Sequence, residues 1–123
     1  MANEITITAG LSIFKASCMD ASLGMAIPAG VFSMSGSFVV KETISVDTSP
    51  MLIPMGQVSA PHWAFFRNCD ATNFIRIFNG ISGTPVLKLL AGEAFPCGLD
   101  DTGTYYAQAD TAACLMQYLI ASL

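Results

Sequence analysis

Two aromatic and β-branched runs in the second half of the chain constrain its fold most strongly. The first spans residues 63–66 and the second spans residues 74–78, and the polar segment between them includes Asn68, Asp70 and Asn73. Two such runs on either side of a short turn-forming segment predict an antiparallel pair of strands. We interpret the two asparagines and the aspartate as turn residues whose side chains bond to nearby backbone groups.

Short alternating segments separated by turn signals recur along the rest of the chain. The predicted strands cover residues 4–8, 11–17, 35–47, 62–68, 73–79, 86–90, 94–97, 105–107 and 114–121. About eight to ten short strands without a convincing helical heptad indicate an all-β fold. We therefore predict an antiparallel β-sandwich that is jelly-roll-like.

Three places along the chain leave alternatives open. Residues 19–28 show no clean period and are predicted to form a long irregular connection or a short strand. Residues 111–123 also fit a helical period, but the alternation of Tyr118 and Ile120 favours a strand. Glu42 interrupts the apolar face of the strand predicted over 35–47. It therefore lies either at the rim of the sheet or at a bulge.

The length and composition indicate one domain that makes contacts. A chain of 123 residues fits a single domain, 1–123, in which 1–17 is a possible N-terminal arm or edge strand. Of its residues, 53% are hydrophobic and only 11% are charged. No apolar run approaches the roughly 20 residues needed to cross a bilayer, so no membrane partner is expected. Large apolar surfaces on such proteins usually contact a partner, so we expect an assembly interface; the alternative is an apolar-rich core under a surface of Ser and Thr.

The charges and the cysteines indicate which classes of partner are excluded and in which compartment the chain folds. The net charge is −4 and the five lysines and arginines are spread singly, so nucleic-acid binding is not expected. No secretory signal pattern opens the sequence, which favours folding in a reducing cytoplasm. Four cysteines lie far apart without a Cys-x-x-Cys pair, which argues against zinc. We expect Cys18, Cys69, Cys97 and Cys114 to be buried or half-buried free thiols.

The chain offers few candidates for chemistry. His62 starts an apolar strand without an adjacent nucleophile or orienting carboxylate, so a rim or interface position is predicted. Asp100 and Asp101 supply too few oxygens for calcium and fit a turn. Eight aromatic residues form a possible sugar-stacking platform, but strand spacing favours core or intersubunit packing; they are Trp63, Phe65, Phe66, Phe74, Phe78, Tyr105, Tyr106 and Tyr118. We therefore predict no catalytic, cofactor-binding or metal-ligating residue, no cofactor, and no enzyme.

Several segments between residues 56 and 120 resemble small structural proteins encoded by tailed bacteriophages. The segments are 56–58, 61–68, 70–75, 87–93 and 106–113. In order, those proteins have a glycine-containing segment, an aromatic strand that ends in Asn, and an Asp/Ala/Thr/Asn turn. A strand pair, a Leu-x-x-x-Gly-Glu turn and a Tyr-Ala-x-Ala-Asp-Thr-Ala element follow. They are packing and turn signatures and carry no chemistry.

The resemblance implies a jelly-roll-like β-sandwich incorporated into the virion, assembled in the host bacterial cytoplasm. The role it implies is that of a capsid decoration or cement protein. The partners it implies are the major capsid protein and further copies of the chain, as a homo-oligomeric dimer or trimer. The alternative is a tail-associated structural protein or a glycan-binding module of the virion. From the residues themselves, we expect 1–17 to be able to add an edge strand to a neighbour.

Overall fold

The structure is a computed structural model that describes residues 4–13, 23–33 and 38–122. Every regular element in these residues is a β-strand, and the predicted antiparallel β-sandwich is confirmed. None of the described residues belongs to a helix that is long and apolar enough to cross a membrane. The chain forms two compact units, Met1–Met34 and Ser35–Leu123.

The first unit contains an antiparallel pair of long strands, β1 (Glu4–Ile13) and β2 (Leu23–Ser33). The prediction that a second strand begins at Leu11 is wrong, because β1 continues through Gly10 and pairs with β2 along its length. Residues 14–17 lie outside the described residues. Pairing with β2 thus keeps β1 extended through Gly10, although the sequence alone predicts that a strand ends there.

Residues 19–28, whose sequence has no clean period, also differ from their prediction. Its described part belongs to β2, which has 11 residues and is neither irregular nor short. The register shifts where Ile7 and Ala9 face β2, opposite Pro28 and Ala29. Proline lacks a backbone donor and is tolerated at such a bulge. The alanine, glycine and methionine content hid this strand because those residues have little intrinsic strand preference.

The second unit contains eight strands in two four-stranded antiparallel sheets. In chain order the strands are β3 (Val39–Val46), β4 (Met51–Leu52), β5 (Pro61–Asn68), β6 (Ile75–Asn79), β7 (Pro85–Leu89), β8 (Ala94–Gly98), β9 (Tyr105–Ala109) and β10 (Cys114–Ser122). One sheet has the order β3-β10-β5-β8 and the other has the order β4-β9-β6-β7. The first of the eight strands therefore pairs with the last, the second with the seventh, the third with the sixth and the fourth with the fifth. This strand order is that of a jelly roll.

The core lies between the inward faces of these two sheets. Strand β10 alternates between buried and exposed residues from Cys114 to Ile120, as a strand with one buried face must. The largest fully buried side chains are Tyr118, Phe66, Ile53, Ile75, Ile77, Leu89, Met116, Ile120, Val46, Asn68 and Cys114. Burial of this apolar area is the main stabilising contribution to the unit.

Strand β10 also resolves two of the open alternatives. It lies in the middle of its sheet, between β3 and β5, and is extended from Cys114 to Ser122. The helical alternative is therefore wrong for the described residues, because pairing on both sides overrides the helical period. Its register with β3 has no shift, so no bulge lies at Glu42. Glu42 lies on an edge strand, and the rim alternative is confirmed.

Candidate interaction surface

The outward face of the sheet β3-β10-β5-β8 carries exposed apolar side chains on neighbouring strands. We call four of them the outer patch: Val39, Phe65, Leu115 and Leu119, which are 55%, 42%, 54% and 40% exposed. Single exposed apolar residues are ordinary, but groups of them on one face mark interaction sites. The outer patch is therefore the first candidate for a functional surface.

The strand register places members of the outer patch side by side. Leu119 on β10 lies directly opposite Phe65 on β5 and opposite Lys41 on β3. The next outward residue of β10, Gln117, lies opposite Arg67. Directly opposed residues on one face are close enough for their side chains to touch. The surface thus has an apolar centre with a cation on either side.

A shallow groove of about 690 Å³ crosses the same face. Its lining includes the apolar pair Phe65 and Leu119 and the two cations Lys41 and Arg67, with Glu42 on the β3 side. The groove thus holds two of the five lysines and arginines of a chain whose net charge is −4. An apolar segment with carboxylates beside it has the complementary chemistry.

The outward face of the other sheet is organised differently. Arg76 and Lys88 both lie over the ring of Phe74, with Cζ and Nζ at 4.7 and 4.1 Å from the ring centroid. Both cations are thus engaged by a ring of the same unit. The exposed residues Leu52 and Val86 lie on β4 and β7, which are the opposite edges of this sheet. They do not form an adjacent pair like the one at the centre of the outer patch.

His62 contacts a backbone acceptor and an indole ring. Its Nδ1 lies 2.9 Å from the carbonyl oxygen of Leu99, and this nitrogen must be the donor because a carbonyl only accepts. Its ring makes an edge contact with Trp63, with the ring centroids 4.6 Å apart. The half-buried imidazole therefore ties the start of β5 to the end of β8, as a rim residue does.

The Asp100 turn is held by its own neighbours. The Oδ1 atom of Asp100 accepts hydrogen bonds from the hydroxyl and the backbone N–H of Thr102, at 2.7 and 3.0 Å. These two bonds lower the pKa of Asp100, with the hydroxyl bond as the larger cause. In the part of the chain that the structure describes, no three His, Cys, Asp or Glu side chains are grouped to hold a metal ion.

The interpretation of the polar segment after β5 is confirmed for two of its three residues. The Oδ1 atom of Asn68 accepts from the backbone N–H of Asp70 at 3.0 Å. The Oδ1 atom of Asp70 in turn accepts from the backbone N–H groups of Asn73 and Thr72, which lowers the pKa of Asp70. Asn73 differs, because its Oδ1 accepts from the hydroxyl of Thr111 at 2.8 Å rather than from nearby backbone.

The eight predicted aromatic residues are mostly packed inside. Phe66, Phe78, Tyr105 and Tyr118 are buried, Trp63, Phe74 and Tyr106 are half-buried, and only Phe65 is exposed. Phe38 and Phe95 are also exposed, but neither lines the groove. Phe95 pairs with the buried Phe66 and so belongs to the inward face at the sheet edge. The described aromatics therefore form no three-ring sugar platform on the groove.

The described cysteines are free thiols in three environments. Cys114 is buried, Cys97 is half-buried and Cys69 is exposed. The prediction of burial is thus confirmed for two of them and wrong for Cys69, which follows the end of β5 in the turn. Burial raises the pKa of both Cys97 and Cys114. Cys18 lies outside the described residues.

The outer patch itself was not singled out by the sequence. The alternation along 38–46 and 114–121 separates its β3 and β10 members correctly from the inward residues. A period of two shows which residues share a face, but it does not show which strands lie beside each other. A sequence feature that could have indicated the outer patch is the presence of apolar residues on both faces of the strand over 115–120.

Comparisons with known proteins add little to this geometry. No protein-family profile matches the sequence, and no curated protein sequence matches it. A solved structure described as "Bacillus endospore appendages form a novel family of disulfide-linked pili" aligns with 75% of this chain and 95% of its own, at a TM-score of 0.39 and 13% identity. A likeness at that level transfers no property to this chain.

Proposed function

We propose that this chain is a virion structural protein that decorates a phage head and cements neighbouring subunits of the major capsid protein. The observation that carries the proposal is the outer patch with its groove on one face of the jelly roll. The resemblance of residues 56–120 to structural proteins of tailed phages supplies the choice of particle. The proposal assigns no enzymatic activity and places the protein in the virion.

The proposed action is burial of the outer patch against the capsid. Apolar area removed from water contributes about 25 cal/mol for each Å². A standard protein interface buries about 800 Å² on each partner, and the face of a four-stranded sheet is of that order. Many symmetric copies on a shell multiply a modest contribution from each one.

The groove also sets the chemistry of the partner. Leu119 and Phe65 at its centre require an apolar contact, and the cations Lys41 and Arg67 favour carboxylates beside it. We expect the capsid segment that docks here to be apolar with acidic residues next to it. A weakening of binding at high salt is the expected sign of the electrostatic part.

The test uses heads of the encoding phage produced with and without this chain. Heads that carry the protein should withstand heat or chelator better than heads that lack it, and purified protein added back should restore the difference. Leu119→Ser should lose binding to the heads. Leu52→Ser is the matched control, because Leu52 is 53% exposed but lies on the other sheet.

Two results would contradict the proposal. One is absence of the protein from purified heads whose stability is unchanged by its loss. The other is equal binding of the Leu119→Ser and Leu52→Ser variants, since the outer patch would then not be the contact surface.

A further inference from the structure

The two sheets of the jelly roll have four edge strands, and one of them, β3, has neither a proline nor a short length. An edge presents unpaired N–H and C=O groups, and proteins protect such edges with prolines, short strands or charges. Strand β8 contains Pro96, β7 begins with Pro85, and β4 has only two residues. Strand β3 has eight residues and no proline, and its two charged residues, Lys41 and Glu42, have opposite signs and lie on opposite faces of the strand. In the described part of the chain no strand pairs with its outer side.

The hydrogen-bonding direction of each β3 residue follows from one observed bond. The N–H of Ser122 at the end of β10 donates to the carbonyl of Phe38 at 3.2 Å. In an antiparallel ladder the N–H and C=O of one residue point to the same side, and this side alternates along the strand. The residues that direct both groups to the open edge are therefore Val39, Lys41, Thr43 and Ser45.

We propose that this edge pairs with the same edge of a second copy of the chain. The two β3 strands run antiparallel about a two-fold axis that passes through Thr43 and is perpendicular to the sheet. Two such hydrogen-bonded sheets form one continuous eight-stranded sheet. The inference concerns an edge of the jelly roll and does not depend on the proposed capsid role of its outer face.

The side chains select this register among the symmetric ones. A two-fold axis through Lys41 places that cation against itself, and an axis through Glu42 places that carboxylate against itself; directly opposed like charges are destabilising. An axis through Thr43 pairs the two threonines and places Lys41 opposite Ser45 and Glu42 opposite Ile44. It leaves no like charges directly opposed.

The backbone favours this register over an axis through Ile44, which opposes no like charges. Each hydrogen-bonded pair of residues exchanges two N–H to C=O bonds. The pair of Thr43 residues and the two pairs of Lys41 with Ser45 therefore give about six bonds. An axis through Ile44 gives about four, because Lys41 would then face Asp47, whose carbonyl already accepts from Ala109 within its own unit at 2.7 Å.

Disulfide formation tests the two-fold axis directly. In the full chain with Cys18→Ser and Cys69→Ser, the Thr43→Cys variant places two thiols on directly opposed residues, about 5.5 Å apart at Cα, which suits a disulfide. In the Ser45→Cys variant each introduced cysteine faces Lys41 of the other copy. The Cα atoms of the two cysteines are then four residues apart along the strands, or about 14 Å. Under mild oxidation we expect Thr43→Cys to form covalent dimers at least about tenfold faster than Ser45→Cys.

A second pair of variants tests the edge without a crosslink. Thr43→Pro removes a donor that points away from the fold, so the jelly roll should still unfold cooperatively while the dimer is lost. Thr43→Val keeps the donor and should remain a dimer. Size-exclusion chromatography with light scattering gives both masses.

Three results would overturn the proposal. One is a monomeric chain at concentrations used for crosslinking. Another is equal crosslinking of Thr43→Cys and Ser45→Cys. The third is a Thr43→Cys variant that crosslinks to Thr6→Cys on β1 of another copy and not to itself, because the occupant of the edge would then be the N-terminal strand.

Discussion

Replacement of the buried Asn68 should lower the stability of the jelly roll strongly, because one small side chain makes several hydrogen bonds. Its side chain is fully buried at the end of β5. The two N–H groups of Nδ2 face three carbonyl oxygens, those of Asn73 at 2.8 Å, Leu90 at 3.1 Å and Leu89 at 3.2 Å. The Oδ1 atom accepts from the N–H of Asp70. One amide therefore joins the end of β5 to the following turn and to the end of β7.

The expected cost of Asn68→Ala follows from these contacts. Two donors and one acceptor are lost, and each hydrogen bond contributes about 1 kcal/mol net. The Leu89 carbonyl keeps its ladder bond from the N–H of Ile75, the residue with which it pairs, so no unsatisfied acceptor is added there. We expect the free energy of unfolding to fall by about 3 kcal/mol in total. For a unit of the size of Ser35–Leu123 that lowers Tm by about 12 to 24 °C.

Thermal and urea unfolding of the full chain measure the loss. The matched control is Asn79→Ala, because Asn79 is an exposed asparagine at the end of β6 whose Oδ1 accepts one bond, from Thr104 at 3.2 Å. That control should lose less than about 1 kcal/mol. If Asn68→Ala lies within about 1 kcal/mol of the control, the amide does not act as a buried junction and the reasoning is refuted.

Two further predictions concern titratable groups. Burial and the nearby Glu42 carboxylate raise the pKa of Tyr118 to about 12. The unfolded tyrosine loses its proton near pH 10, so the contribution of Tyr118 to the free energy of unfolding should be constant below that and fall between pH 10 and 12. In pH-dependent urea unfolding, Tyr118→Phe should lack this part of the alkaline decline, while the part that comes from Tyr105, whose pKa burial also raises, remains. Iodoacetamide should modify the exposed Cys69 in the native protein but Cys97 and Cys114 only on unfolding, as peptide mass spectrometry can show.

The sequence predicts the jelly-roll sheets well where one face of a strand is buried and the other face is exposed to solvent. The alternation along β3 and β10 assigns both faces correctly, because a strand with one buried face must alternate. The helical period at 111–123 competes with that alternation. It loses because β10 pairs with a strand on each side, which a local pattern cannot reveal.

The sequence predicts the first unit and the outer patch less well. Five of the 11 residues of β2 are alanine, glycine or methionine, and pairing with β1 extends the strand over its whole length. Phe65 and Phe66 are equally aromatic, yet one is exposed and the other is fully buried. Which of two adjacent rings faces water depends on the opposing sheet, and that packing is not written in the local sequence.

The prolines at the edges of the sheets permit a last prediction. The N–H of Leu99 donates to the carbonyl of His62 at 2.7 Å, so on β8 the odd residues face β5 and the even residues, including Pro96, face outward. A proline there blocks strand addition without loss of an internal bond. Pro96→Thr should therefore open a second edge and produce assemblies larger than those of the natural chain in light scattering. Thr43→Pro in the same chain should limit these assemblies to two copies, because each then has one open edge. An unchanged mass for a folded Pro96→Thr variant would show that proline is not what protects β8.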